Sequence, residues 1–249
     1  MLRSIKELDG YSLQATDGEI GSVFACYFDD QTWVIRYIVV KTGNWLTHRK
    51  VLLAPVALGI PDWETQSIPV LLTQEQIRNS PSIDLDKPVS RQMEEELYTY
   101  YGWSPYWRIS TSPLQSGAMA VAQLMADRQG EGDAEQGQRA ANPHLRSTRE
   151  VIGYDVHAVD GDIGQVDDFI ADDQMWQICY LVVAMEDKKG VLSPHWVDKV
   201  DWAQKQVAVG LEKMIVKLAP AFDPATPVNR EYEVRLYDYY GRPKYWARV

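Results

Sequence analysis

The chain contains the same folding unit twice. Residues 2–40 recur as residues 145–183 at an offset of 143, and residues 53–107 recur as residues 192–246 at an offset of 139. The difference of four residues falls in one hairpin loop, which is shorter in the second copy. An offset that persists over this length constrains the fold strongly, because both copies must satisfy the same pattern of turns and buried positions.

Each copy covers about 105 residues, which is close to the usual size of a self-sufficient domain. The sequence therefore predicts one domain at residues 1–110 and a second at residues 145–249. Residues 111–144 are rich in Gly, Ala, Gln and Ser and contain no aromatic residue, which is typical of a flexible linker. A short helix over residues 118–128 is the one element expected within it.

Composition excludes several classes of function. A net charge of −10, from 35 acidic and 25 basic residues, disfavours binding to nucleic acid. No run approaches the roughly 20 apolar residues of a membrane-spanning helix, and the first residues lack the layout of a secretory signal. The two cysteines, Cys26 and Cys179, occupy non-equivalent positions in strand-like runs and predict no disulfide. We expect a cytoplasmic protein without membrane insertion.

Strand signals begin each copy. The Asp-Gly pairs at Asp17 and Asp160 supply the positive φ of a tight hairpin. Alternation then predicts that one strand face is buried in both copies, with Trp33, Ile35, Tyr37 and Val39 recurring as Trp176, Ile178, Tyr180 and Val182. Pro69 predicts that its strand lies at a sheet edge. Five or six short strands per copy favour a small barrel or a closed roll.

Helical periodicity follows the strands. Thr73 and Gln76 resemble a capping box for a short helix, and a longer helix is expected to begin after Ser90 and to end at Gly102. The second copy offers Asn229 and Gly241 as its cap residues. A stripe at i, i+4 and i+8 is expected to face the barrel: Met93, Leu97 and Tyr101, and Tyr232, Leu236 and Tyr240.

These residues resemble the signature of PRC-barrel domains. The likeness rests on Gly10, the Asp17-Gly18 turn, Ile20-Gly21, Val23, the acidic turn at Asp29-Asp30 and residues 33–40, together with their counterparts in the second copy. The resemblance implies a mainly β protein with two tandem six-stranded β-barrels, each followed by an amphipathic helix. The family's barrel occurs in bacteria, in the cytoplasmic domain of the photosynthetic reaction-centre H subunit and in the ribosome maturation factor, where it serves as a docking surface.

Motifs for catalysis are absent from the sequence. The four histidines form no HExxH or Cys/His cluster, and no glycine-rich phosphate loop is present, so we expect neither an enzyme nor a cofactor. Ser193 and His195 suggest a nucleophile pair, but no GxSxG elbow accompanies them and the first copy lacks both. The acidic turns are candidate cation sites, although such residues more often bind their own backbone amides: Asp29, Asp30, Asp172 and Asp173.

Aromatic residues near the end of each copy are the remaining functional candidates. Successive helical residues lie about 100° apart, so at least one tyrosine per copy must face outward. The candidate interaction surface comprises Tyr98, Tyr100, Tyr106 and Trp107, and Tyr237, Tyr239, Tyr245 and Trp246. It is expected to bind a protein partner, to mediate self-association, or to join the two copies as an intramolecular pseudo-dimer.

The sequence thus predicts a non-enzymatic adaptor or assembly module that acts through protein–protein interaction. Two alternatives stay open at this point. One is a regulatory barrel that senses a ligand or a cation through the acidic turns, and the other is a soluble protein linked to assembly of a photosynthetic reaction centre. The positions at which the copies differ, including residues 56–58 and 195–197, are where a specific site is expected.

Overall fold

The fold is that of a computed structural model, which describes residues 1–43, 46, 49–81, 89–108 and 144–247. Almost all of the predicted linker at residues 111–144, including the helix expected at residues 118–128, lies outside the described residues. The four-residue difference between the hairpin loops also falls largely outside them. The domain boundaries therefore stay a prediction.

The described part of the chain is mainly β, as predicted, and contains five short α-helices. The first half contains β1 (Leu2–Ser4), β2 (Ser12–Ala15), β3 (Gly18–Asp29), β4 (Ile35–Thr42), β5 (Lys50–Leu53), β6 (Ser67–Pro69), α1 (Gln74–Arg78) and α2 (Arg91–Tyr101). The second half contains β7 (Leu145–Ser147), α3 (Thr148–Val151), β8 (Asp155–Ala158), β9 (Gly161–Asp172), β10 (Gln177–Ala184), β11 (Lys189–Leu192), β12 (Val197–Asp201), β13 (Gln206–Val209), α4 (Lys213–Leu218) and α5 (Arg230–Tyr240).

Two sheets of six and seven strands form, and each takes one strand from the opposite half. The order is β5-β4-β3-β2-β6 in one sheet and β11-β10-β9-β8-β13-β12 in the other. β1 of the first half pairs antiparallel with β9, and β7 of the second half pairs antiparallel with β3. The two halves therefore contact each other through exchanged strands, a contact that the sequence did not predict. Among the described strand pairs neither sheet closes into a ring, so the six-stranded barrel stays a prediction.

Each of the long strands β3 and β9 shares one of its edges between two partner strands. The first part of β3 pairs with β2, and its last three residues pair with β7. β9 repeats this arrangement with β8 and β1. Gly164 in β9 permits the close approach of the neighbouring strand β10, because a Cβ atom there would lie 2.0 Å from the carbonyl oxygen of Ala184. No other residue type fits at that separation.

The Asp-Gly turns have a second role that the sequence did not reveal. Asp17 accepts a hydrogen bond from the backbone N–H of Gln74 at 2.7 Å, and Asp160 does the same for Lys213. Each turn thereby holds the first residue of a helix that lies more than fifty residues further along the chain. A carboxylate at a helix N-terminus satisfies an unpaired amide and complements the helix dipole.

The predicted buried face of β4 was partly wrong. Trp33 and Ile35 pack into the main hydrophobic core, but Tyr37 and Val39 pack on the opposite side against α2. The register between β3 and β4 shifts by one residue between Tyr37 and Ile35. This bulge reverses the alternation, because an extra residue moves every later side chain to the other face. Both faces of the strand are therefore covered.

The helix boundaries agree with the predictions. Thr73 and Gln76 form the complete capping box of α1, and the Ser90 side chain accepts from the N–H of Met93 at the start of α2. Gly102 follows α2 in the left-handed conformation at φ 69°, and Gly241 follows α5 in the same way. The strand that contains Pro69 lies at the end of its sheet order, as expected. In the described part of the chain, no helix is long and apolar enough to cross a membrane.

Candidate functional site

A buried glutamate anchors the aromatic tail of the first half to its sheet. The Oε1 atom of Glu94 in α2 accepts hydrogen bonds from the hydroxyls of Tyr37 at 2.8 Å and Tyr106 at 2.7 Å. Its other oxygen pairs with the guanidinium of Arg91 at 3.1 Å. The same guanidinium lies 4.4 Å above the ring of Trp107. One carboxylate therefore joins strand, helix and tail, and we call this set of residues the first clamp.

The second half repeats the arrangement atom for atom. Glu233 accepts from Tyr180 at 2.7 Å and from Tyr245 at 2.9 Å, and it pairs with Arg230 at 3.0 Å. Arg230 lies 4.2 Å from the ring centre of Trp246. We call this set the second clamp. Its recurrence shows that the network belongs to the shared design of the two copies.

Burial and the adjacent carboxylate determine the protonation of the clamp tyrosines. Burial raises the pKa of Tyr37, and the negative charge of Glu94 raises it further. The pKa of Tyr180 is raised by burial and by its hydrogen bond to Glu233. These hydroxyls stay protonated and act as hydrogen-bond donors to the two glutamates, and the clamps thereby hold the strand, the helix and the tail together.

Neither glutamate was predicted as a functional residue. Each lies on a helix whose apolar stripe dominates the sequence pattern, although Glu94 and Glu233 are equivalent residues at the offset of 139. Exact recurrence of an acidic residue on the inner side of an amphipathic helix is the signal that would have identified it.

The eight residues of the predicted interaction surface divide into three groups. Tyr98 and Tyr237 are buried at the centre of their aromatic clusters, so they belong to the interior, contrary to the prediction. Tyr100 and Tyr239 are each 40% exposed, and their hydroxyls donate to the carbonyl groups of Gln76 and Ile215. The remaining four lie at the surface with part of each side chain packed on the clamps: Tyr106, Trp107, Tyr245 and Trp246.

The two halves fill one position of the aromatic cluster from different chain segments. In the first half, Trp103 of the tail stacks on Tyr101 with ring centres 4.4 Å apart. In the second half, Trp196 of a 3₁₀ turn packs on Tyr240 at 4.5 Å. Accordingly, the first half has Ala57 at the position equivalent to Trp196, and the second half has Arg242 at the position equivalent to Trp103. Both halves thus place an indole against the last tyrosine of the helix, but the indole comes from a different segment of the chain in each half.

The acidic turns are occupied by groups of the chain itself. Asp29 accepts from the backbone N–H groups of Gln31 and Thr32 at 3.1 and 2.9 Å. Burial opposes ionisation of Asp29, but these bonds and the nearby Arg36 outweigh it and lower its pKa. Asp172 makes the equivalent two bonds to its own turn. The prediction that such residues bind local amides is confirmed for this pair.

The second aspartate of each turn binds the opposite half. Asp30 lies 2.9 Å from Nδ1 of His144 and 3.4 Å from Nε of Arg146, both near the exchanged strand β7. Asp173 pairs with the N-terminal ammonium group and accepts from the indole of Trp63 at 3.2 Å. Among the described residues, no group of three or more acidic, histidine or cysteine side chains is arranged to hold a metal ion. The turns therefore stabilise the strand exchange.

Asp167 and Asp168 fix the other exchanged strand. Asp167 bridges Lys6 at 2.7 Å and Lys189 at 2.8 Å. Asp168 is buried and accepts from the hydroxyl of Ser4 and from the backbone N–H of Lys6. Burial raises the pKa of Asp168 despite these bonds. The first half has Phe24 and Ala25 at the equivalent positions, so the two exchanged strands are held by different side-chain contacts.

The serine–histidine pair has no catalytic geometry. Ser193 is buried, and its hydroxyl accepts from the backbone N–H of His195 at the start of a 3₁₀ turn. The imidazole of His195 is exposed, and no hydrogen bond joins it to Ser193 in the described structure. The thiols of Cys26 and Cys179 are also unsuited to nucleophilic chemistry, because burial raises the pKa of each to about 12.

The helix α4 of the second half exposes apolar side chains where the equivalent helix of the first half is polar. Met214 and Leu218 of α4 are 58% and 67% exposed, and Ile215 lies between them. Tyr239 adjoins these side chains, since its hydroxyl bonds the Ile215 carbonyl at 2.8 Å. We call these four residues the α4 patch. The first half has Glu75, Gln76 and Asn79 at the three equivalent helix positions.

In comparisons with known proteins, no family model matches the chain, and no curated protein shows significant similarity to it.

Proposed function

We propose that the chain is a non-enzymatic adaptor, built from two PRC-barrel-like units of six strands, that binds another protein or a second copy of itself. The resemblance in the strand and turn residues supports the barrel, and the duplicated sheets of the structure are consistent with it. The buried clamps support a binding role over a catalytic one, because their polar groups satisfy each other. Assembly of a photosynthetic reaction centre is the process that the resemblance to the H subunit favours.

The α4 patch carries this proposal. Contiguous apolar side chains with an adjoining tyrosine are typical of protein interaction sites. Met214 and Leu218 are one helical turn apart and point to the same side of α4. Because the first half has polar residues at these positions, the shared fold does not require the apolar character. Selection for a contact accounts for it directly.

A pull-down with chemical cross-linking tests the proposal, with sedimentation velocity run in parallel for self-association. The double variant Met214→Glu/Leu218→Glu places two charges in the patch without disturbing buried residues. We expect it to lose at least about tenfold of the captured partner or of the dimer fraction, because each unpaired charge in an interface costs more than 1 kcal/mol.

The matched control is Ile60→Glu, since Ile60 is 76% exposed in the first half and lies outside the patch. It is expected to retain binding. Equal retention of every partner by the double variant and the control would refute the assignment of the α4 patch as the contact surface. Absence of any stable partner or self-association for the wild-type chain would refute the adaptor function itself.

A further inference from the structure

The second half contains an aromatic cleft beside its tail, and Tyr245 of the second clamp forms part of its lining. The cleft has a volume of about 240 Å³. Its walls are the rings of Trp196, Tyr237 and Tyr245, and its rim is formed by His195, Arg242 and Pro243. Trp196 and Tyr237 meet edge to face with ring centres 5.3 Å apart, and Tyr237 and Tyr245 lie 6.0 Å apart. The walls are therefore fixed by packing among themselves.

The cleft coincides with the segment in which the two copies differ most. His195, Trp196 and Arg242 replace Val56, Ala57 and Trp103 of the first half. Because Trp196 supplies the indole from the 3₁₀ turn, the tail no longer needs a tryptophan and carries a cation there. The divergence is concerted, since the loop and the tail changed together while the enclosed tyrosine stayed the same.

The positive charge of Arg242 in the cleft has no acidic neighbour among the lining residues. In the part of the chain that the structure describes, no carboxylate pairs with Arg242, and none of the residues that line the cleft is acidic. The nearest acid of the second clamp, Glu233, is already engaged by Tyr180, Tyr245 and Arg230. The neighbouring cation Lys244 has its own partner in Asp238 at 2.8 Å. Arg242 is therefore the one basic residue of the cleft lining that carries a permanent charge.

We propose that this cleft binds a small planar carboxylic acid with an aromatic ring. The guanidinium of Arg242 supplies a planar pair of donors that matches a carboxylate, and His195 adds a third polar group at the rim. The ring of Tyr245, which is 41% exposed, contacts the apolar body of the ligand, and the largely buried Trp196 and Tyr237 contribute the small part of their surface that lines the cleft. The volume suits a single ring, since it is smaller than the 300 to 1,000 Å³ typical of drug-sized ligands. This site is independent of the proposed adaptor function.

Titration of the full chain with benzoate, followed by ¹H–¹⁵N NMR, tests the proposal. We expect saturable shifts in the low-millimolar range, as is usual for a fragment of this size, at the indole of Trp196 and at the backbone of Arg242. Benzamide, which has the same shape without the charge, is expected to bind at least about tenfold more weakly. Acetate, which lacks the ring, is expected to bind too weakly to saturate.

Two variants locate the site. Arg242→Gln is expected to weaken benzoate binding by about tenfold or more, since it removes the charged donor from an exposed position and leaves the walls intact. Lys244→Gln removes a neighbouring charge that is already paired, and it is expected to leave the affinity within about twofold. Absence of saturable shifts with benzoate, equal binding of benzamide, or unchanged affinity in Arg242→Gln would each overturn the proposal.

Discussion

Removal of the buried glutamate of the first clamp provides the sharpest test of how each half holds its tail. Glu94→Ala removes the carboxylate that accepts from the hydroxyl of Tyr37 in a fully buried position, which costs about 1–3 kcal/mol. The loss of one buried methylene group adds about 0.8 kcal/mol, and the partly exposed hydroxyl of Tyr106 adds less than about 1 kcal/mol. We expect the free energy of unfolding to fall by about 2–5 kcal/mol.

Tyr37→Phe separates the hydrogen bond from the packing. In the wild-type chain this variant removes one donor to a charged acceptor, so we expect a loss of about 1.5–3 kcal/mol. In the Glu94→Ala background the same change removes a hydroxyl that has already lost its charged acceptor, and its cost is expected to fall to about zero. The double-mutant cycle therefore predicts a coupling energy of about 2 kcal/mol. Urea denaturation followed by tryptophan fluorescence and circular dichroism measures all four variants.

Effects that add within about 0.5 kcal/mol would refute the reasoning, because they would show that the two groups do not interact in solution. The second half offers an internal replicate, since Glu233 and Tyr180 occupy the equivalent positions at a similar distance. The Glu233→Ala and Tyr180→Phe cycle is expected to give the same sign and a similar magnitude.

Three further predictions follow from the described contacts. The two halves, cut within the linker and mixed, are expected to form a 1:1 complex because each supplies a strand to the other's sheet, and two independent monomers in light scattering would contradict the exchange. Gly164→Ala is expected to cost at least about 1–3 kcal/mol because its Cβ meets the Ala184 carbonyl, whereas the control Gly190→Ala meets only a flexible methionine methyl and is expected to cost less in the same denaturation assay. The free energy of unfolding is expected to fall as the pH rises above about 10, because burial raises the pKa of Tyr37 in the folded chain while the unfolded tyrosine loses its proton. Tyr37→Phe is expected to flatten this dependence on pH.

Local rules made much of the fold predictable. The capping box at Thr73, the N-cap at Ser90 and the terminal Gly102 depend on residues within a few positions of each helix end, and the structure places the helix ends there. The Asp-Gly turns are equally local. Alternation failed at Tyr37 because a bulge is a property of the paired strands together, and a single strand's pattern does not encode where its partner has one residue fewer.

Strand exchange was beyond the reach of the sequence for a different reason. Both copies carry the same apolar pattern in their first strand and in their long strand, so pairing within a copy and pairing between copies satisfy the pattern equally well. The residues that distinguish the two arrangements are polar and dispersed, such as Asp30 with His144 and Asp168 with Ser4. These pairs lie more than a hundred residues apart, and no local rule connects them. The clamps were missed for a related reason, since a buried acid is recognisable only with its partners.

A single chain makes this strand exchange compatible with divergence. If two identical copies exchanged strands, every contact of one exchanged strand would recur at the other. In this chain the buried Asp168 binds the exchanged strand β1, while Ala25 occupies the equivalent position beside the exchanged strand β7. The surface positions differ as well, since the α4 patch has polar residues at its equivalent positions in the first half and Arg242 stands at the position equivalent to Trp103. The clamps, which hold each tail in place, are identical in both halves. The duplication therefore keeps the groups that position the aromatic tails and varies the groups exposed around them, and this is the distribution expected when one copy acquires a binding role on an unchanged scaffold.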